Sequence, residues 1–405
     1  MSLVEVNTGL FGTSVSLDAI ERGVRRGLRT TARCGSQRTV DLIGENQGFF
    51  SRVGLLNCNW PDGSTLPNKV VVKITTLLNT IAMHQRSGAK KKLIGEAARK
   101  EKNSWITKAT KLRKWHNNEV NFYKNAKQLD VHSVPQMYYA LEFDEENTGN
   151  GYICMEFAQG SICSQVYEYL SAEQIKEVMR SMADMQVKMS TINEEQKRKF
   201  SVNAYEDLFG DIIQPDVLGF RLEELREFSF ELSDSIDKVA PLLKRLSNTR
   251  AAKWDCSELG ITPVFVHGDL YTPNLLWKLN ENGNLELDKI IDWQLCHFGS
   301  PAEDITRLIL SSMRPAERKE SVDGILRDYF THISSIWKKP LFTFEQVQAT
   351  FNNFFTISAL AFIGTIFEVF TASQNTCPKE EREARKRVIV LKVASILEEI
   401  YERNK

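Results

Sequence analysis

The spacing of hydrophobic and polar residues changes near Gly160. Before this residue, short runs rich in β-branched and aromatic side chains alternate with turn-forming segments, and after it most apolar residues recur at helical spacing. A chain of 405 residues is also too long for one ordinary hydrophobic core. The sequence therefore predicts two domains, residues 1–159 and residues 160–405.

The first domain has the pattern of a small antiparallel sheet. Its strand-like runs are RTVDLI, FFSRVGLLNCNW, NKVVVKIT, PQMYYALEF and GYICMEF. One helical stretch, KWHNNEVNFYKNAKQL, lies between the third and fourth runs, so we expect a sheet of these runs and one helix. The Lys-rich segment from Lys90 to Lys114 is only weakly periodic and is interpreted as a solvated insertion.

The second domain is predicted to be larger and mainly helical. Its first helix begins with a capping-box pattern, Ser171-x-x-Gln174, and helical stretches also end the chain. A single β-rich segment, PVFVHGDLYTPNLLWKLNENGNLELDKIIDW, interrupts these helices. The predicted fold class is therefore α+β, with a small β-rich domain followed by a larger helical domain.

One uncharged run, residues 346–367, has a second interpretation as a membrane span. Its apolar part, FFTISALAFIGTIF, is 14 residues long, whereas a span needs about 20 predominantly apolar residues. This length favours a buried core helix, so we expect no membrane span.

Charge and cysteine content limit the partners and the location. The 52 basic and 52 acidic residues give a net charge of zero, which argues against nucleic acid as the main partner, although a local basic patch is compatible with it. The seven cysteines are scattered without a CxxC pair, and the first residues lack a signal-peptide pattern. We therefore expect a reduced, cytoplasmic protein.

The strongest chemical signal is the segment VFVHGDLYTPNLLW. An apolar strand leads into His267-Gly268-Asp269, Asn274 follows Asp269 by five positions, and Asp292 ends the next apolar strand. Carboxylate and amide oxygens at strand ends suit a hard cation that bridges phosphates, and Asp269 is then free to orient a hydroxyl nucleophile.

The spacing of these residues is that of the protein-kinase catalytic loop and its metal-binding Asp, with Gly268 in place of the usual Arg. The alternative is that HGDLYTPN is only a tight turn, because Gly, Asp, Pro and Asn all form turns.

Two weaker features lie upstream in the order that kinase chemistry needs. Lys73 is in the strand-like run VVVKIT, and Glu119 is on the one inserted helix, where it is expected to pair with that lysine. The alternatives are an edge-strand lysine whose stem covers apolar surface, a solvated Glu119, or a different acidic partner such as Glu96.

A glycine-containing connection precedes the lysine strand. GENQGFFSRVGLL places Gly44 and Gly48 between two strands, where backbone amides are available to cover phosphates, and Ser51 is counted with them as a candidate nucleotide-binding residue. A plain hairpin explains the same segment.

HGDLYTPNLLW, followed by IIDWQ and GSPAEDITRL, resembles the choline kinase and aminoglycoside phosphotransferase superfamily. It looks closest to the choline-kinase-like branch of nematodes and insects that includes ecdysteroid kinase-like proteins. The resemblance extends from GENQGFFSRV through VVVKIT, NNEVNFYK and YICMEFAQG to PAEDITRL. It implies a bilobal, protein-kinase-like fold with ATP between the lobes.

The resemblance also implies a role for each residue of the motifs. Asp269 would be the catalytic base, Asn274 and Asp292 the Mg²⁺ ligands, and Lys73 the phosphate-binding residue, oriented by Glu119.

Further roles are implied for the hinge and for the support of the catalytic loop. The backbone of Glu156, Phe157 and Ala158 would meet adenine, and Asp304 would brace the loop that contains His267. An ordinary carboxylate at a helix start is the alternative for Asp304.

We therefore expect a phosphotransferase that uses ATP and Mg²⁺ to phosphorylate a hydroxyl of a small molecule, such as an amino alcohol, a sterol-like compound or a glycosylated metabolite. A kinase-shaped protein that binds a nucleotide or ligand without catalysis is the alternative, and the complete metal-binding motif argues against it. A protein kinase is a third interpretation, disfavoured because Gln294 replaces the glycine of DFG and no APE-type segment follows.

Three aromatic residues have two interpretations. Trp293, Phe298 and Trp254 offer faces for the quaternary ammonium of a choline-like acceptor, or they pack in the core.

Overall fold

The computed structural model describes residues 3–44, 48–61, 63–86, 96–247, 256–337, 341–374 and 377–405. The chain forms two compact units, Met1–Gln159 and Gly160–Lys405. The first unit contains an antiparallel sheet and the second is mainly helical, so the predicted α+β class is confirmed.

The described strands lie in three sheets. Their bounds are β1 Thr39–Ile43, β2 Ser51–Asn57, β3 Lys69–Thr75, β4 Met137–Leu141, β5 Tyr152–Glu156, β6 Ile162–Cys163, β7 Val264–Val266, β8 Leu275–Leu279, β9 Leu285–Ile290 and β10 His297–Gly299. The first five strands form one sheet in the order β1-β2-β3-β5-β4, and the rest form a pair, β10-β7, and a three-stranded sheet, β6-β8-β9.

The helices differ widely in length. The α-helices have the bounds α1 Leu17–Gly27, α2 Leu78–Arg86, α3 Glu96–Gln128, α4 Ala172–Ser190, α5 Glu194–Arg198, α6 Ala204–Asp207, α7 Phe209–Ile212, α8 Pro215–Phe228, α9 Ser233–Val239, α10 Leu243–Leu246, α11 Pro301–Ser312, α12 Pro315–Ile336, α13 Phe344–Ser373 and α14 Lys379–Asn404. Short 3₁₀ helices cover Leu10–Gly12, Phe230–Leu232, Ala240–Leu242, Thr272–Asn274 and Trp293–Leu295.

The central strand β3 separates two environments in the first unit. Val70, Val72 and Ile74 are fully buried and belong to the core that includes Ile20 and Val24 of α1. Because side chains alternate along a strand, Lys73 lies on the opposite face, where α3 packs. The two helices therefore cover opposite faces of the sheet.

Helix α3 gives the described part of the Lys-rich segment its structure. The residues from Glu96 onward belong to a continuous helix of 33 residues, and most side chains from residue 103 to residue 114 are exposed or half-buried, as expected for a solvated segment, whereas residues 90–95 lie outside the described residues. Lys, Glu and Ala are strong helix formers, so propensity and packing of the C-terminal half sustain a helix that the weak periodicity does not reveal.

Two helices form the centre of the second unit. Every residue of α11 is buried, and α11 packs against α13. Helix α13 has the length and hydropathy of a membrane span, but 67% of its most apolar window is buried within the structure, which is typical of a core helix. By itself such a helix is weak evidence for a span.

Candidate active site

Strand β3 and helix α3 bring Lys73 and Glu119 together. The Nζ atom of Lys73 donates to Oε2 of Glu119 at 2.6 Å, and the side chains are 12% and 2% exposed. The two residues are 46 positions apart in the chain. The pair therefore depends on how α3 lies against the sheet, and its role with a nucleotide stays a prediction.

His116 holds α3 in register with two strands. Its Nε2–H donates to the carbonyl of Leu141 on β4 at 2.9 Å, and its Nδ1 lies 2.7 Å from the hydroxyl of Thr75 on β3. A carbonyl only accepts, so Nε2 carries the proton and Nδ1 accepts from the threonine. Burial lowers the pKa of His116 to about 4, so the ring is neutral near pH 7 and keeps both bonds. Glu119 follows one helical turn later, on the same face.

The glycine-containing connection joins antiparallel strands β1 and β2, as the hairpin alternative describes. Gly44 has a φ of 63°, which favours glycine, and residues 45–47 lie outside the described residues. The amide of Asn79 donates to the carbonyls of Gly48 at 2.7 Å and Ser51 at 3.1 Å, which fixes the end of the connection. Phosphate binding by this segment stays a prediction.

The predicted hinge begins where strand β5 ends. Glu156 is the last residue of β5 that pairs with β3, so the peptide groups of Phe157 and Ala158 lie beyond the ladder. The carboxylate of Glu156 accepts from the backbone N–H of Gln136 at 3.0 Å, and the Nζ of Lys69 lies 5.3 Å from the ring of Phe157. Backbone groups past the ladder are the kind that adenine binding uses, and this role stays a prediction.

In the second unit, the segment after β7 is organised by His267. The Nδ1 atom of this histidine accepts from the backbone N–H of Asp269 at 3.2 Å, and its Nε2–H donates to the carbonyl of Ile291 at 2.9 Å. The imidazole therefore links the loop of Asp269 to the residue before Asp292.

Asp304, on α11, binds the backbone of the same loop. Its two carboxylate oxygens accept from the N–H of His267 at 2.7 Å and of Gly268 at 3.0 Å. Burial raises the pKa of Asp304 to about 7, although the two N–H donors oppose this shift. Gly268 has a φ of 82°, and a Cβ there would overlap the carbonyl oxygen of Leu295, which explains the glycine in this position.

The backbone brings Asn274 and Asp292 to adjacent positions. The N–H of Ile291 donates to the carbonyl of Asn274 at 3.0 Å, at the end of the β8-β9 ladder, and Asp292 follows directly. The side-chain amide of Asn274 donates to the carbonyl of Asp269 at 3.0 Å, which fixes its Nδ2 and leaves Oδ1 as its acceptor group. Asp292 has left-handed backbone angles, φ 66° and ψ 58°, a strained conformation that often marks functional sites.

These oxygens fit a magnesium ion that is also bound by phosphates. One carboxylate and one amide oxygen are hard ligands, and Mg²⁺ is usually held by one or two protein groups together with substrate phosphates. The described parts of the chain contain no cluster of three or more His, Cys, Asp or Glu arranged as a metal site.

Arg307 is a site residue that the sequence interpretation did not identify. Its Nε and Nη2 atoms lie 3.0 and 2.9 Å from Oδ1 of Asp269, and its guanidinium lies 4.9 Å from the ring of Phe209 and 5.2 Å from that of Tyr271. The only sequence signal is an arginine in the apolar helix PAEDITRLILSS, one turn after Asp304.

A second buried ion pair joins strand β10 to the same helix. Nε2 of His297 is 3.1 Å from Oε2 of Glu303, and both side chains are 5% exposed. Burial alone lowers the pKa of His297, but the carboxylate of Glu303 and the carbonyl of Leu295 raise it to about 9. The imidazole is therefore charged at neutral pH and compensates the carboxylate.

The aromatic candidates for binding a quaternary ammonium are placed differently. Trp293 is fully buried, stacks on Phe265 and lies 4.5 Å from the ring of His267, so it packs in the core. Phe298 is half-buried against Phe265 as well, and Trp254 lies outside the described residues.

Comparison with models of protein families assigns the chain to one family. The family model DUF1679, described as "Uncharacterized oxidoreductase dhs-27", matches residues 3–405, so the chain belongs to this family. The Caenorhabditis elegans protein "Uncharacterized oxidoreductase dhs-27" is 24% identical over 249 residues, which are 60% of this chain but 29% of that protein. The Caenorhabditis elegans "Uncharacterized kinase-like protein D1044.1" is 24% identical over 294 residues, 70% of this chain and 75% of that protein. The family match and the kinase-like relative agree with the expected similarity to kinase-like proteins of nematodes.

Solved structures with a similar course of the chain are small-molecule kinases. Plasmodium vivax ethanolamine kinase has a TM-score of 0.45 and 11% identity, covering 87% of this chain and 82% of that one. The GDP complex of wild-type aminoglycoside 2'-phosphotransferase-IIIa has a TM-score of 0.46 and 15% identity, covering 91% and 93%. With TM-scores below 0.5, these likenesses alone do not establish a function.

Proposed function

We propose that this member of the DUF1679 family is a phosphotransferase that uses ATP and Mg²⁺ to phosphorylate a hydroxyl group of a small molecule. The observation that carries the proposal is the arrangement of the loop of Asp269. Its backbone is bound by the buried Asp304, and its neighbours Asn274 and Asp292 would supply the oxygen ligands of the magnesium ion. The Lys73–Glu119 pair supports it independently, since an ammonium held by a carboxylate is suited to phosphate oxygens.

In the proposed reaction, the acceptor oxygen bonds to the γ-phosphorus of ATP while the bond to the β–γ bridging oxygen breaks. Asp269 accepts the proton of the acceptor hydroxyl, and ADP carries the displaced electron pair. Asn274 and Asp292 would hold the magnesium ion, which supplies neutralisation of phosphate charge when it is bound. Lys73, oriented by Glu119, would bind phosphate oxygens.

The acceptor is proposed to be an amino alcohol, a sterol-like compound or a glycosylated metabolite, and the location cytoplasmic. The seven cysteines are scattered along the sequence without a CxxC pair, which supports a reducing compartment. Binding of nucleotide or ligand without catalysis is the second candidate, because ion-pair networks of this kind also occur for purely structural reasons.

The name oxidoreductase carries no argument for this chain, because the match covers 29% of the relative that bears it. The kinase-like relative supports the proposal more directly, since 75% of its length is matched.

The proposal is tested by ADP formation from MgATP with panels of amino alcohols, sterols and glycosylated metabolites. Once an acceptor is found, Asp269→Asn should lower turnover by about 10²-fold or more, because the proton acceptor is lost, while MgATP affinity stays within a few-fold. Asp234→Asn, an exposed substitution of the same type in the same unit, serves as the control. Wild-type turnover in Asp269→Asn would remove Asp269 as the base.

A further inference from the structure

Helix α11 contacts the loop of Asp269 through two side chains. Asp304 binds the loop backbone, and Arg307, one turn later on the same helix, binds the side chain of Asp269. Both contacts of the guanidinium, Nε at 3.0 Å and Nη2 at 2.9 Å, go to the same carboxylate oxygen, Oδ1. Among the described residues, none donates a hydrogen bond to Oδ2 of Asp269.

The guanidinium itself is held in place. The side chain of Arg307 is 6% exposed, and the rings of Phe209 and Tyr271 lie 4.9 and 5.2 Å from its central carbon. Contact with two aromatic rings and a planar two-donor edge restrict the rotamer of an otherwise flexible side chain. Arg307 is therefore a rigid support for a carboxylate that is 16% exposed.

We propose that Arg307 is a positioning residue, which binds Oδ1 of Asp269 so that Oδ2 is the oxygen presented to the acceptor hydroxyl. This inference rests on the proposed function. The terminal torsion of an aspartate is broad and roughly two-fold, so without a partner on one oxygen the two oxygens exchange places. Proton acceptance requires one oxygen held close to its productive position, and small displacements are costly in rate.

The competing explanation is that the Arg307–Asp269 ion pair is purely structural. Two substitutions of Arg307 are designed to distinguish a positioning role from this explanation. Arg307→Lys keeps the positive charge but loses the planar edge formed by Nε and Nη2. Arg307→Met removes the charge and keeps an apolar side chain against Phe209 and Tyr271. Arg314→Met is the matched control, because Arg314 is exposed and packs its guanidinium on the ring of Tyr169 at 4.8 Å.

The contact is tested without any substrate by arginine-selective ¹H–¹⁵N NMR of the Nε–H groups. We expect one slowly exchanging signal that is absent in Arg307→Lys and unchanged in Arg314→Met. In Asp269→Asn the chemical shift of this signal should change, and its proton should exchange with solvent about tenfold faster or more, because the charged acceptor is lost. A signal that is unaffected by Asp269→Asn would overturn the proposal.

The consequence is tested by phosphate transfer from MgATP, with the acceptor found in the screen or with water as acceptor. We expect Arg307→Lys to lower kcat by about tenfold or more and to leave the KM for MgATP unchanged, because charge is kept and geometry is lost. If Asp269→Asn is impaired but Arg307→Lys turns over like wild type, the positioning role is wrong and the proposed function stands. If Asp269→Asn is unimpaired as well, the proposed function itself fails.

Discussion

The Lys73–Glu119 pair is expected to stabilise the first unit by a measurable coupling between its two members. The perturbation is a double-mutant cycle of Lys73→Met, Glu119→Gln and the double variant, which removes each charge while keeping the shape of the side chain. Because α3 contributes Glu119 and β3 contributes Lys73, the coupling reports how firmly this helix is held against the sheet.

The expected coupling free energy follows from the distance between the charged atoms of Lys73 and Glu119 and from the burial of the two side chains. At 2.6 Å and an effective dielectric constant of about 20, the attraction of two unit charges is about 6 kcal/mol. Loss of hydration by side chains that are 12% and 2% exposed offsets a large part of that attraction. Contacting residues couple by about 0.5–3 kcal/mol, and we expect a value in the upper half of this range.

The assay is native-state hydrogen exchange of β3 amides, because a chain with two compact units need not unfold in a single transition. The chain offers a matched control in Lys124–Glu142, a pair of the same residue types that also involves α3, with 2.5 Å between its atoms and side chains 52% and 40% exposed. Exposed pairs couple by about 0.2–1 kcal/mol. Equal coupling in the two cycles, or additive effects in the first, would refute the reasoning.

Two further predictions concern the loop and the second ion pair of the second unit. Gly268→Ala should lower the free energy of unfolding by about 3 kcal/mol or more in urea denaturation, because a positive φ and overlap with a backbone carbonyl act together, whereas Gly283→Ala, with a φ of 78° and open space, should cost only about 1 kcal/mol. Similar losses at both glycines would contradict the steric argument. The His297–Glu303 pair should stabilise the fold below pH 6.5 and lose this contribution as the pH rises through about 9, because the pKa of the folded histidine is raised from 6.5. The stability difference between wild type and Glu303→Gln should therefore shrink between pH 6 and pH 10, and a constant difference would count against the pair.

The sheet of the first unit was predictable because each of its strands has a β-rich sequence pattern within a short segment of the chain. Each predicted run contains one of the strands β1 to β5, and alternation along β3 already separates the buried Val72 from Lys73. Helix α1 was not predicted, because its buried residues Ile20 and Val24 are interspersed with charged residues and glycine and give little continuous apolar signal. The same limit applies to the first half of α3, where propensity rather than periodicity sustains the helix.

The candidate site divides in a similar way. The motif from His267 to Asn274 lies within one short segment, and its spacing indicates a chemical role. It can therefore be identified from the sequence alone. The contacts of Arg307 and His116 are not, since their partners Asp269 and Thr75 lie 38 and 41 positions away, and an isolated arginine or histidine in a helix usually has no such partner. Only the packing of α11 and α3 reveals these contacts.

The measurement that tests the central claim most directly is calorimetric titration of ATP into the wild-type protein and into Asp292→Ala, with Mg²⁺ and with a chelator. The account predicts saturable binding to the wild type that depends on the metal, and affinity weaker by about tenfold or more in Asp292→Ala, because a carboxylate ligand at the phosphates is lost. Binding of equal strength in Asp292→Ala, or binding by the wild type that is indifferent to the chelator, would contradict the claim that Asn274 and Asp292 hold the magnesium of a nucleotide.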